Sequence, residues 1–482
     1  MTPETSAILL VENSPLQTGP NPFRGGGVLG RLLRLLPQSK RARTSMRNSL
    51  YGAAEYVALP LGMLLATPLL LRHLGLAQFG IWMLASAAIT SSNLISTGFG
   101  DAALKYASMY RTDSKRFENT LRVNLTINLA LGATLALLLW CGAPYAAGSI
   151  FKITAGLRGD AIAAFRIGSL ILLLRCIEGV LIGALRSHER YGPAVQISIA
   201  SRSAIVLAAC FLVWRGHGIV AIMAATLCAV AISVVVQMIV VRVQIARIKL
   251  IPSFDRTAFK EVFSFGGFSW LQAVAGCVFN QADRLLVGAL LGASSVGYYS
   301  VCVQAAQPIH GLLAAGLHFL FPHLSARLST APTAQLRGVV ASVFRVNVIA
   351  AIILCLAVVI FSKLILRLWM GPAFAAQAWM VLSIIALSFG FLSLNVTAHY
   401  ALLALAHVRL VALLNLLGGA AMLVAMLLLA PRFGLAGAAA GRLLYGPITL
   451  LLYGRLHKAL SPTSAENSSA FGQLAVSGTE SR

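Results

Sequence analysis

Acidic residues are scarce in this chain: 14 Asp and Glu stand against 38 Lys and Arg in 482 residues, and charged residues make up only 11%. With 58% hydrophobic residues and a mean hydropathy of +0.82, there is too little polar surface to cover a soluble globule. No GxxxxGKS/T loop, HExxH or GxSxG is present, so an internal ATP motor is not indicated and no such hydrolytic centre is encoded. The seven cysteines form no CxxC or Cys/His cluster, so neither a disulfide framework nor a metal site is indicated, and no cofactor is expected. The net charge of +24 would suggest nucleic acid in a soluble protein. Here it belongs to loops at a membrane surface, and no nucleic-acid partner is expected.

What the chain has in abundance is apolar runs of helix-spanning length. About twelve are long enough to cross a hydrocarbon layer of about 30 Å, at 50–71, 80–98, 121–146, 165–185, 194–214, 219–241, 265–290, 296–320, 340–361, 378–402, 410–430 and 435–453. They predict an all-α polytopic membrane protein with two six-helix lobes. The expected organisation is a disordered basic cytoplasmic tail (1–47), a first lobe (48–241), an interlobe linker (242–262), a second lobe (263–457) and a C-terminal tail (458–482). With the N-terminus inside, the tails and even-numbered connections carry about 24 Lys and Arg and the opposite side about seven. Both termini are therefore expected in the cytoplasm.

The two halves share short matches. LGLAQFG at Leu74–Gly80 and LGASSVG at Leu291–Gly297 lie about 217 residues apart. GIVAIMAA from Gly218 and GLAGAAAG from Gly434 lie about 216 apart, and the ALRSHER and ALAHVR segments, from Ala184 and Ala404, agree within about three residues. A common spacing points to duplication around a site between the halves.

Charges inside spans are functional candidates, because each costs free energy unless it faces a partner or water. The acidic candidates are Glu55, Glu178 and Asp283 for ion coupling or ion pairing. The basic ones are Arg122, Arg166, Arg175, Arg202, Arg284, Arg345 and Arg442. Arg175 and Glu178 share a helical face at a spacing that predicts an ion pair. Gln272, Gly276, Asn280 and Asp283 form one stripe, and Gln304, Gln307, Gly311 and His318 another. Arginines exceed carboxylates, so a central cavity should be basic and its ligand anionic. Arg175, Arg202 and Arg284 are the candidates for binding its phosphate, with Asn280, Gln304 and Gln307 along the path. Pro60, Pro308 and Pro447 are expected to interrupt spans and supply bending points.

The LGxxxxGxW turn at Leu74–Trp82, TGFGDAALKYAS at Thr97–Ser108 and ADRLLVGALLGASSVGYYS at Ala282–Ser300 resemble the Wzx-type polysaccharide flippases of the multidrug/oligosaccharidyl-lipid/polysaccharide exporter superfamily. The likeness runs from about Arg47 to Lys458, nearly all except the tails. It implies two lobes around a central cavity, working by alternating access. It also implies a non-enzymatic flippase carrying a polyprenyl-pyrophosphate-linked oligosaccharide across a bacterial inner membrane for exopolysaccharide, capsule or O-antigen synthesis. Asp283 falls where the family often has an Asp. Before Gly98 the family often has an acid, whereas Ser96 and Thr97 stand here. Expected partners are the lipid-linked substrate, membrane lipids, and the polymerase and chain-length machinery. The rival readings are a multidrug or cation antiporter, which would want an acidic cavity, and a membrane glycosyl polymerase or ligase, which would want a large outer loop.

Overall fold

A computed structural model describes residues 40–97, 106–110, 113–188, 190–245, 251–328 and 332–460, in which all regular structure is helical. The chain divides into a short unit, Met1–Tyr51, and a large one, Gly52–Arg482. The helices are α1 (Lys40–Thr97), α2 (Ser114–Tyr145, continued by a π turn at Ala146–Ile150), α3 (Ala155–Ser187), α4 (Tyr191–Trp214) and α5 (Ile219–Gln244). After the linker come α6 (Arg256–Leu291), α7 (Ala293–Leu317), α8 (Leu320–Arg327), α9 (Thr333–Ile360) and α10 (Ser362–Met370). The chain ends in α11 (Pro372–Leu394), α12 (Val396–Ala404), α13 (Val408–Arg442), α14 (Tyr445–Leu450) and α15 (Leu452–Ala459).

Among the described residues, 8 helical stretches are long and apolar enough to cross a membrane. Their outer faces carry Leu137, Leu138, Phe211, Ile239, Ile353 and Leu428, all exposed. A surface so apolar is stable only against hydrocarbon. The expected all-α polytopic class is therefore observed. α1 begins at Lys40, inside the stretch assigned to the tail, while residues 1–39 and 461–482 lie outside the described residues.

Pro60 and Pro308 do not interrupt their helices: helical backbone continues through Pro60 and Pro68 in α1 and through Pro308 in α7, while Pro447 lies in the first turn of α14, just after the break that follows Arg442. The sharp breaks fall at glycines instead: Gly75 within α1, Gly292 between α6 and α7, Gly371 before α11 and Gly434 within α13, all with φ between 59° and 95°. Only glycine adopts that region at little cost, so these positions turn the chain back without a long loop.

The duplication is visible in the element starts. Residue pairs 76 and 293, 155 and 372, and 191 and 408 each begin corresponding helices at a spacing of about 217. Most helix packing lies within each half of the sequence, and α2 also meets α6 across them. α3 packs on α2 and α5, and α4 on α5; α7, α9 and α10 pack on α11, and α13 on α6. One core cluster joins Phe79, Trp82 and Leu84 of α1 to Val287, Tyr299 and Cys302 of α6 and α7.

Candidate functional site

The two copies of the glycine turn touch one another. A Cβ on Gly80 would lie 1.8 Å from the carbonyl oxygen of Ala293, and a Cβ on Gly297 would lie 2.9 Å from that of Leu76. Gly80 corresponds to Gly297 in the repeat, and Leu76 to Ala293. Each copy therefore uses its glycine to admit the backbone of the other, as in an interface with two-fold symmetry. Gly288 extends this seam, with its Cβ position 2.5 Å from a Leu84 methyl. Further along α1, Thr67 Oγ1 lies 2.8 Å from Gln304 Oε1, and Trp369 Nε1 donates to Leu64 O at 3.0 Å. Residues from α1, α6, α7 and α10 thus meet along one seam.

Of the three in-span carboxylates, the two whose side chains are described, Glu178 and Asp283, are each held by an arginine. On α3, Glu178 is 3% exposed; its Oε2 accepts from Arg175 Nη1 at 2.5 Å and its Oε1 from Ser233 Oγ and Gln237 Nε2 of α5 at 2.8 and 3.1 Å. The pair expected from the spacing is formed, and it ties α3 to α5. Buried Asn124 and Asn128, one helical turn apart, bond to each other on α2 at 2.8 Å. Glu178→Gln is expected to lower stability by about 1–3 kcal/mol, because the charge-assisted bond is lost while Arg175, 20% exposed, keeps some access to its surroundings. Thermal unfolding of the purified protein measures it.

Asp283 on α6 has a partner that the spacing did not suggest. Its Oδ2 accepts from Arg442 Nη1, at the end of α13, and from the Tyr299 hydroxyl of α7 at 3.0 Å; Oδ1 accepts from the Arg284 backbone at 2.7 Å. Asp283, Tyr299 and Arg442 are 1%, 0% and 6% exposed. The Arg442 guanidinium also lies 4.8 Å over the Phe389 ring, a cation–π contact with α11. Four helices converge on this pair. Arg442 is among the in-span basic candidates, but its pairing with Asp283 is not given by spacing, and Tyr299 is not singled out in the sequence. A signal was available: Asp283 is the only carboxylate between Glu261 and Glu466, so a buried arginine in that half had one possible acidic partner.

The other candidates are dispersed. Arg284 Nη1 donates to Gln281 at 3.3 Å, and its buried Nε has no hydrogen-bond partner. Arg202 is half-buried on α4, Gln304 is half-buried against α1, and Gln307 is exposed on α7. Glu55 and Asn280 lie on α1 and α6, with side chains outside the described part of the structure.

At the other end of α6 the linker lies against α2. Arg122 Nε donates to Ile251 O at 2.9 Å, Thr126 Oγ1 lies 2.9 Å from Ser253 O, and Asn119 Nδ2 donates to Asp255 Oδ2 at 3.3 Å. Tyr110 OH lies 3.2 Å from both oxygens of Glu261. Burial and this bond raise the Tyr110 hydroxyl above its ordinary range, so it stays protonated as a donor.

Long apolar helices broken at glycines, with paired charges buried between them, define a polytopic transporter. A family model described as "Polysaccharide biosynthesis protein" matches residues 47–327, and the chain belongs to that family. It is 23% identical over 408 residues to a putative O-antigen transporter of Shigella flexneri, covering 82% of this chain and 93% of that protein. Two solved structures share the fold. One is the inward-facing conformation of a multidrug resistance MATE family transporter of the MOP superfamily (TM-score 0.71, 14% identity, 85% of this chain and 98% of that one). The other is the lipid II flippase MurJ in an inward closed conformation (TM-score 0.69, 16% identity, 84% and 86%).

Proposed function

We propose that this chain is a flippase that carries a polyprenyl-diphosphate-linked oligosaccharide across a bacterial inner membrane, from the cytoplasmic to the outer leaflet, by alternating access. On this reading the breaks at Gly75, Gly292 and Gly434 divide the helices into about twelve spans, six in each of two lobes, with both termini cytoplasmic. The observation that carries it is the reciprocal seating of the two repeat turns, Gly80 against Ala293 and Gly297 against Leu76. Two repeated units that meet by a reciprocal contact at these turns, with most of their packing inside each, are suited to rock about that contact; the linker contacts to α2 at the far end of α6 are what must part for that end to open.

The cargo is argued from charge and kinship. Glu178 and Asp283 are each taken by an arginine, which leaves little negative potential for a cationic drug and disfavours the antiporter reading. Arg202 and Arg284 remain the candidates for the substrate diphosphate, with Arg175 shared between Glu178 and the cavity. Of the three acidic candidates, Glu55 is the one this reading leaves for ion coupling. The polymerase and chain-length machinery would then act on the translocated lipid.

In a strain lacking the protein, completed lipid-linked oligosaccharide is expected to accumulate where a non-permeant sugar probe cannot reach it, and polymer output to fall at least tenfold. Normal exposure of the oligosaccharide on the outer leaflet would contradict the flippase reading and favour a step after translocation.

A further inference from the structure

α6 runs from the basic linker to the glycine turn, and its first turns border a recess of about 490 Å³ lined by Tyr106, Arg256, Thr257, Lys260 and Glu261. It lies about 40 Å along α6 from Asp283, at 1.5 Å per residue, and so far from the buried ion pairs. Arg256 and Lys260 stand one helical turn apart, both exposed, and neither has an ion-pair partner among the described residues. The helix terminus is not itself the attraction, because Asp255 already accepts from Thr257 N and Ala258 N at 2.9 Å each. Glu261, the lining carboxylate, is engaged by Tyr110 on both oxygens. The recess therefore presents two cations and the Thr257 hydroxyl on a wall that α2 holds in place through Asn119, Arg122 and Thr126.

The same stretch carries an apolar ladder. Phe254, Phe259 and Phe263 follow one another with ring centroids 5.1 and 5.4 Å apart, and Phe254 and Phe263 are 68% and 53% exposed. Phe259 and Phe263 are spaced by four, as are Arg256 and Lys260, so the start of α6 has a cationic stripe beside an aromatic one. A free phosphate would use only the first stripe. A phosphate at the head of a long hydrocarbon chain would use both, with its head in the recess and its chain along the phenylalanines.

We propose that this recess is a capture site for the phosphate head of a polyprenyl diphosphate lipid, separate from the site between the lobes, where the lipid is held before entering the bundle. The identity of the lipid rests on the flippase reading; the binding does not require transport.

The test uses the full-length protein in phosphatidylethanolamine nanodiscs, measuring retention of polyprenyl diphosphate, phosphatidylglycerol and inorganic diphosphate by native mass spectrometry. Arg256→Gln combined with Lys260→Gln is expected to weaken polyprenyl diphosphate binding about tenfold, as loss of charge-assisted contacts implies. Phosphatidylglycerol binding should change less than twofold on the same scale, and inorganic diphosphate should bind weakly to both forms. The exchange Arg256→Lys with Lys260→Arg should restore binding if charge at these positions is what matters. Equal loss of both lipids would make the recess a general anionic-lipid anchor, and unchanged polyprenyl diphosphate binding would remove it as a site; either result overturns the proposal. Should the leaflet assay fail while this binding holds, the transport reading falls and the site stands.

Discussion

Gly80→Ala is expected to reduce translocation about tenfold, although alanine is the better helix former by about 0.5–1 kcal/mol. The added methyl would sit 1.8 Å from the Ala293 carbonyl oxygen, a backbone atom that cannot rotate away, so the two turns must separate by more than about 1 Å. Overpacking of this kind costs about 1–3 kcal/mol, which lowers the population of the closed arrangement about 5- to 150-fold. Gly297→Ala, at 2.9 Å from Leu76 O, should follow the same direction with a smaller effect. Gly183→Ala on α3 meets nothing within 4 Å and should transport normally. Polymer output at matched protein levels reads all three, and wild-type transport by the Gly80 variant would show that the seam does not open and close.

Asp283→Leu is expected to cost about 3–5 kcal/mol, because it strands the Arg442 guanidinium, 6% exposed, without its counter-charge. Tyr299 loses its acceptor in the same substitution. Arg442→Leu strands the carboxylate and should cost a similar amount. The double variant, Asp283→Leu with Arg442→Leu, removes both charges and should recover most of the loss, since a buried ion pair is often no more stabilising than apolar packing. Thermal unfolding of the four proteins closes the cycle. If the pair serves architecture, the double variant also transports; a stable double variant that is inactive would return Asp283 to the coupling machinery.

These two results concern features that differ in how far the sequence displays them. The glycine turns were legible because a tight reversal between two apolar runs needs a residue with positive φ, and the same pattern recurs at one spacing. Arg175 with Glu178 was legible because both lie on one helix face. Asp283 with Arg442 was legible only through the scarcity of carboxylates in that half and not from spacing, since which faces of α6 and α13 meet is set by packing over 159 residues of separation. Arg284, next to Asp283 in the chain, does not pair with it, because neighbouring residues on a helix point apart, and Arg284 reaches Gln281 instead. Pro60 and Pro308 do not mark the reversals for a related reason: a proline removes one backbone bond, whereas these reversals require a backbone that turns left-handed. Gln304, expected along the substrate path, faces Thr67 of α1. That contact joins residues 237 apart, and local spacing carries no information about it.

The most direct test of the account is reconstitution. Purified protein is placed in vesicles with a fluorescent polyprenyl-diphosphate oligosaccharide, and a non-permeant reagent reports how much label reaches the outer surface. Native cysteines are replaced by serine, and Leu76→Cys with Ala293→Cys allows the seam to be bridged by a short thiol-specific linker. The account predicts that label from the inner leaflet becomes reachable in vesicles with unbridged protein. With the bridge in place, only the share already outside should react. Label that stays inaccessible with the unbridged protein, or that crosses equally fast with the seam bridged, would contradict a flippase working by alternating access around these two turns.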